Sequence, residues 1–332
     1  MDLRGLLQLH WDLSPSQVVL LTEGLINQTW LVRSATADFI LQEINTAVFQ
    51  APVVLQAQLV TLSLSIQLPD LVPLQYISTR KGSALIQIED KTYRLLKAIT
   101  PSKTLSAVTA QNAQLAAAGL LSFHKALQSV WAADWKAPIA HFLDVDFRLQ
   151  AYESAKSLAR ESRKSSAAGL ISQLEADWAA LLAWKQLSVD SEQVLIHADP
   201  KLGNFLFHPN GKQVRALIDW DTIQLGSPFY DYGDMIRSFC SRGEDAAEHT
   251  PLFKEEIFEV LVAAFAVDED KLYTAAMGVI LVQALRFLSD YLQDDCYYKV
   301  LDEEHNLRRT ANQLRLAAEL KNYWLTTRRP TH

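Results

Sequence analysis

The sequence predicts an α+β protein in two unequal parts, a small strand-rich N-terminal part and a larger, mainly helical remainder. Three observations carry that expectation. Short β-branched and aromatic runs separated by polar turns fill the first hundred residues. Long alanine- and leucine-rich stretches with polar faces come after them. A single strand-loop-strand unit, from Ile196 to Asp221, interrupts the helices. At 332 residues the chain exceeds what one hydrophobic core usually supports, so two lobes and one large domain are both open.

Taken in order, Gln17 to Gly24, Thr29 to Ser34 and Phe39 to Ile44 read as three strands of an antiparallel meander. Ala51 to Leu68 has apolar residues at helical spacing, a proline in its first turn, and a stop before Pro69. Leu85 to Ile88 and Tyr93 to Ala98 then form a hairpin across Glu89, Asp90 and Lys91. The segment TPSKT, from Thr100, marks a change of pattern and divides the chain into 1–100 and 101–332. Ala107 to Val130, Asp146 to Arg163 and Ala167 to Gln186 are predicted helices, and helix resumes at about Tyr230.

Composition narrows the partners. Hydrophobic residues make up 49% and charged residues 21%, an ordinary globular balance. The net charge of −7, without a block of lysine or arginine, argues against a nucleic-acid or anionic-membrane surface and leaves small molecules as the expected partners. The N-terminus lacks the apolar core of a secretory signal, and the longest apolar stretch, Ala275 to Leu285, is too short to span a bilayer. A cytoplasmic protein is expected. Cys240 and Cys296 stand far apart and are expected as two reduced, buried thiols.

The chemistry concentrates in IHADPKLGNFLF, Ile196 to Phe207, and ALIDWD, Ala216 to Asp221. Phosphoryl transfer needs a hydroxyl held in line with the terminal phosphate, a carboxylate to take its proton, and metal ions to neutralise the phosphates. HADPKLGN fits the catalytic-loop pattern H-R-D-x-x-x-x-N at His197, Asp199 and Asn204, with Ala198 in place of the arginine. Asp199 is then the candidate base, and Asn204 offers an amide oxygen to Mg²⁺. Asp219, at the end of the next apolar run, is the second candidate metal ligand, since Mg²⁺ favours one or two hard oxygen donors plus substrate phosphates. Lys201 either reaches the transferring phosphoryl group as a point charge or is solvated. His197 either supports the loop by hydrogen bonding or takes part in proton transfer. Asp221 serves as an N-cap or as a carboxylate behind the metal ligands.

IDWD in place of D-F-G, together with HADPKLGN, resembles the aminoglycoside phosphotransferase and choline kinase superfamily. TEGLINQTWLV, FILQEINTAVF, IDWDTIQLGSPFYDYGDMIR and ALRFLSDYLQDDCYYK are similar to the N-acetylhexosamine 1-kinase branch, so the resemblance runs over most of the chain. It implies a bilobal protein-kinase-like fold, ATP and Mg²⁺ as cofactors, and a small hydroxylated acceptor, most naturally a sugar attacked through its anomeric hydroxyl. In that frame the segment Glu23 to Thr29 covers the nucleotide phosphates, with Gly24, Asn27 and Thr29 as contacts. Gln42 stands where such kinases place a lysine or arginine, and Ala51 to Leu68 has no glutamate to pair with one. Homoserine, choline or aminoglycoside kinases are the alternatives within the class. A nucleotide-binding pseudokinase is the alternative outside it.

Arg286 interrupts an apolar helical run, where an unpaired charge is costly, so it either pairs with Asp290 or faces the acceptor. Asp231 or Asp234 is expected to cap or brace the helix that follows, with contact to the substrate as the alternative. Tyr297, Tyr298, Arg308 and Arg309 are expected on a helix surface, and Trp220 beside the Asp219 strand.

Overall fold

The computed structural model describes residues 2–21, 26–130, 132, 134–243 and 250–328. The chain opens with helix α1 (Leu3–Trp11), whose N-cap Asp2 accepts a hydrogen bond from the Gly5 amide at 2.8 Å. Next come strands β1 (Gln17–Leu21), β2 (Gln28–Arg33) and β3 (Asp38–Ile44), helix α2 (Pro52–Ser65), and strands β4 (Tyr76–Ile77), β5 (Ile86–Ile88) and β6 (Lys91–Lys97). All six strands join one antiparallel sheet in the order β1-β2-β3-β6-β4, with β5 also paired to β6. The expected meander and hairpin are present; α1 and β4 are additions. On one face of the sheet Leu6 and Leu7 of α1 bury against Val32, Leu41, Tyr93 and Leu95. On the other side Leu55, Leu59 and Leu62 of α2 belong to the main core, which continues into the helical lobe.

The helical lobe contains α3 (Ala110–Leu127), α4 (Val145–Leu158), α5 (Glu161–Ala176), α6 (Trp178–Asp190), α7 (Pro228–Phe239), α8 (Glu255–Phe265), α9 (Glu269–Leu292) and α10 (His305–Thr327). Two expected helices divide differently: a non-helical Ala159–Arg160 step separates α4 from α5, and Asp177 separates α5 from α6. Helix α9 is the central post, packed by α10, α7, α6 and α4. By length and composition alone it could cross a membrane, longer than the apolar stretch the sequence suggested, but two-thirds of its apolar window is buried inside the fold. Gly278 allows its closest approach, since a Cβ there would stand 2.1 Å from the Trp184 side chain of α6.

Two short ribbons sit among these helices, β7 (Val194–Ile196) paired with β10 (Gln224–Gly226), and β8 (Phe205–Phe207) paired with β9 (Val214–Leu217). They hold the loops after β7 and β9 side by side. Lys103, just past the strand-rich lobe, exchanges two backbone hydrogen bonds with Phe207 and ties the crossover to β8. The two cysteines are free; Cys240 is buried as expected, whereas Cys296 is exposed because it falls in the loop after α9.

Candidate active site

The loop after β7 is shaped by a carboxylate from another element. Asp231, in the first turn of α7 and fully buried, accepts hydrogen bonds from the backbone amides of His197 at 2.8 Å and Ala198 at 2.7 Å. Its Oδ2 also lies 2.6 Å from Nε2 of His124 on α3. Ala198 has φ of 64°, a left-handed conformation that costs a non-glycine residue roughly 1–2 kcal/mol, and the bond to Asp231 holds it there. Asp231 therefore braces the loop after β7 as well as its own helix. Asp231→Ala should leave two buried amides without partners, at about 1–3 kcal/mol each, and lower the unfolding midpoint in urea by a corresponding amount.

His197 is fully buried and looks inward. Its Nε2 donates to the Ile218 carbonyl at 2.9 Å and its Nδ1 accepts from the Asp199 amide at 3.3 Å, which fixes the Nε2–H tautomer. Both ring nitrogens are thus occupied in joining the loops after β7 and β9. Asp199 remains partly exposed, and its Oδ2 receives Lys201 Nζ at 2.6 Å and Asn204 Nδ2 at 3.0 Å. The same Asn204 amide donates to the Asp199 carbonyl at 2.8 Å, so the network fixes the amide orientation and leaves Oδ1 as the outward atom. Burial opposes the charge on Lys201, but the carboxylates of Asp199 and Asp219 outweigh it and raise its pKa.

Asp219, in the loop after β9, is in a left-handed conformation, φ 66°, and its carboxylate accepts no hydrogen bond among the described residues. Burial, followed by repulsion from Asp221, pushes its pKa up to about 6 even though Lys201 pulls the other way. Three carboxylates, Asp199, Asp219 and Asp221, are gathered within electrostatic reach of one another. Among the described residues no three histidine, cysteine or acidic side chains form a ready metal cage. A donor set of one free carboxylate and one amide oxygen suits Mg²⁺, which completes its shell with phosphate oxygens and water.

Asp221 neither caps a helix nor stands free. It is buried and forms a two-pronged ion pair with Arg94 of β6, both N···O distances 2.6 Å, while Asn27 Nδ2 adds a third bond at 2.8 Å. Arg94 also donates through Nε to Gln42 Oε1 at 2.8 Å and weakly to Gln56 Oε1 of α2 at 3.4 Å. Gln42 and Arg94 are directly opposite each other in the β3–β6 register. The cation missing at Gln42 therefore stands one strand over, and its counter-charge comes from the loop after β9 instead of α2. Burial opposes the Arg94 charge, and Asp221 more than restores it.

The remaining expected nucleotide contacts divide. Gly24 and Glu23 lie outside the described residues. Asn27 was expected to donate to phosphate, but both ends of its amide are engaged, by Asp221 and by the Asn45 backbone amide at 2.9 Å. Thr29 Oγ1 accepts from Gln42 Nε2 at 3.4 Å, so Thr29 and Gln42 orient Arg94. Asp234 pairs with Arg237 on its own helix at 2.7 Å.

A profile of the phosphotransferase enzyme family matches residues 17–255, which include both loops and the sheet. The chain belongs to the phosphotransferase enzyme family. The chain shares its fold with a microcompartment-associated aminopropanol kinase, at a TM-score of 0.66 and 18% identity over 97% of this chain and 96% of the other. A spectinomycin phosphotransferase solved with ADP and spectinomycin superposes with a TM-score of 0.56 and 14% identity, covering 96% and 97% of the two chains. A stretch of 78 residues is 36% identical to acyl-CoA dehydrogenase family member 11 of Mus musculus. That stretch is 20% of this phosphotransferase and 10% of the mouse protein, so the match covers a small part of that relative.

Arg286 of α9 is not paired with Asp290 and donates instead to Gln283 Oε1 at 3.2 Å. The Asp290 carboxylate accepts from the backbone amides of Tyr297 and Tyr298 and from Asn306 Nδ2. Tyr297 and Tyr298 accordingly sit in the loop after α9, not on a helix surface, and face a cavity that Arg286 lines. Arg308 bonds to Asp302 and Arg309 to the Lys299 carbonyl. Trp220 is buried beside β9, its Nε1 donating to the Leu217 carbonyl at 2.9 Å.

Proposed function

We propose that this phosphotransferase moves the γ-phosphate of ATP to a hydroxyl of a small molecule, with Asp199 as the base. The acceptor oxygen attacks phosphorus in line, its proton passes to Asp199 as the bond forms, and ADP leaves. The observation that carries this reading is the convergence of Asp199, Lys201, Asn204 and Asp219 at the mouths of two adjoining loops. Asn204 and Asp219 would hold Mg²⁺, which supplies charge neutralisation on the phosphates. Lys201 holds Asp199 in place and adds positive charge beside the reacting group. His197 acts by fixing the loop. Arg94, buried and held by Asp221 and Gln42, fixes the strand-rich lobe against the loop after β9; residues 1–100 clamp the nucleotide and 101–332 hold the base and acceptor.

A sugar is the acceptor that the hexosamine-kinase resemblance supports, through its anomeric hydroxyl, in a cytoplasmic setting where ATP is available. ADP release measured across hexosamines, amino alcohols, choline, homoserine and aminoglycosides tests it. Turnover confined to the sugars supports the reading, and turnover confined to amino acceptors replaces the sugar. Tight ATP binding without turnover on any acceptor points to the pseudokinase. Asp219→Ala should abolish Mg²⁺-dependent turnover while leaving far-UV circular dichroism unchanged; activity that survives the change contradicts the metal assignment.

A further inference from the structure

Arg286 has a companion that the reaction described so far does not use. Helices α4 and α9 pack together and bring Arg148 and Arg286 to the wall of one cavity of about 250 Å³. Among the described residues neither guanidinium is paired with a carboxylate. Arg286 donates to Gln283 Oε1 at 3.2 Å, with its Cζ 5.0 Å from the Phe142 ring centre and 5.7 Å from that of Tyr298. Arg148 lies against Phe147 at 5.6 Å, and its buried Nε has no partner. Asp290, the acidic residue in the lining, has its oxygens filled by two backbone amides and Asn306. Both guanidiniums are half-buried and line one cavity with no carboxylate beside them, so an anion entering from outside would meet two charge-assisted donors. Burial, and then Arg286, push the Arg148 pKa below its ordinary value.

The cavity borders α7 through packed rings: Phe142 lies under Arg286 at 5.0 Å, and its ring centre is 6.4 Å from that of Tyr230 on α7. We infer that this cavity is an anion subsite, and that the acceptor is a small hydroxylated molecule bearing a carboxylate or phosphate that Arg148 and Arg286 bind together. The inference rests on the kinase reading and narrows it, since a sugar acid or sugar phosphate satisfies both. The charged group is not altered: the acceptor oxygen–phosphorus bond forms, the phosphorus–ADP bond breaks, and the proton goes to Asp199. At this size, below the roughly 300–1,000 Å³ of drug-sized sites, the cavity suits a compact head group.

Matched acceptors test it. ADP release is measured with glucose, glucuronate and glucose 6-phosphate, and with N-acetylglucosamine and N-acetylmuramate. The expected result is that the anionic members are preferred at least about tenfold in kcat/KM, carboxylate or phosphate according to which source the site serves. Arg148→Gln and Arg286→Gln should each raise the KM of the anionic acceptor about tenfold to a hundredfold, with kcat and the KM of ATP nearly unchanged. Arg148→Lys and Arg286→Lys, which keep charge but lose the guanidinium fork, should fall between, and serve if a glutamine variant does not fold. Neutral sugars used as well as their anionic counterparts, or an anionic KM unmoved in the variants, overturns the inference while the kinase reading stands. If no acceptor is turned over, calorimetry with inorganic phosphate at saturating MgADP decides. Binding lost in the arginine variants keeps the anion subsite and sinks the kinase reading, and binding that is absent or indifferent to both arginines overturns the subsite.

Discussion

Asp199→Asn is expected to lower kcat by about 10²–10⁴, the range general-base catalysis supplies, with little change in the KM of ATP. Asp199 is the carboxylate in this cleft that is both partly exposed and held by donors on one oxygen, Lys201 and Asn204 acting on Oδ2. That arrangement leaves Oδ1 for the incoming hydroxyl. Asparagine keeps the shape and the bonds to the loop, but its amide cannot take a proton at neutral pH. Far-UV circular dichroism and the urea midpoint should stay near those of the parent protein, because the loop is braced through the backbone amides of His197 and Ala198 and not through the Asp199 side chain. Steady-state kinetics checks this directly. A kcat within tenfold of the parent would mean that another group accepts the proton.

The second large effect is structural. Arg94→Met should destabilise the protein by about 3–5 kcal/mol, because it leaves Asp221 as a buried carboxylate without its two-pronged partner. Arg94 comes from the sheet, Asp221 from the loop after β9, and Asn27 from the residue just before β2, so this cluster is also a joint between the lobes. Methionine fills a similar volume, which separates the loss of charge from the loss of packing. Urea denaturation of Arg94→Met, Asp221→Asn and the double variant forms a cycle. The double variant should be less destabilised than the sum of the singles, since removing both charges removes the desolvation cost along with the attraction. Strict additivity would show that the pair acts as two independent buried groups.

These two sites differ in how far the sequence exposed them. HADPKLGN and IDWD are local patterns, each carrying its roles within a few residues, and the apolar runs beside them, Val194–Ile196, Phe205–Phe207 and Val214–Leu217, form β7, β8 and β9. Arg94 lies 127 positions from Asp221, and only the antiparallel register that sets it opposite Gln42 brings it to the cleft. A signal was nevertheless present: an arginine between Tyr93 and Leu95 in a strand whose interior is wholly buried demands a partner, by the same argument that singled out Arg286. For Asp231, sequence proximity points to its own helix, whereas the buried amides of His197 and Ala198 that it accepts from are tertiary neighbours. Helix α1 has a weak but real sequence signal, since Asp2 and the apolar Leu3, Leu6 and Leu7 fit a capped amphipathic turn. The break between α4 and α5 has no such signal, since alanine-rich sequence continues through it and tertiary packing turns the chain at Ala159 and Arg160.

The claim on which the rest depends is that this phosphotransferase transfers phosphate directly from ATP to a small hydroxylated acceptor. Single turnover with γ-labelled ATP and Mg²⁺, run over neutral and anionic sugars in parallel with Asp199→Asn, measures that transfer itself. The account predicts label in a small-molecule phosphate ester with the parent protein, none in the protein chain, and at least about a hundredfold slower appearance with Asp199→Asn. Label that remains in tightly bound ATP with every acceptor, or that moves onto the protein, would contradict it.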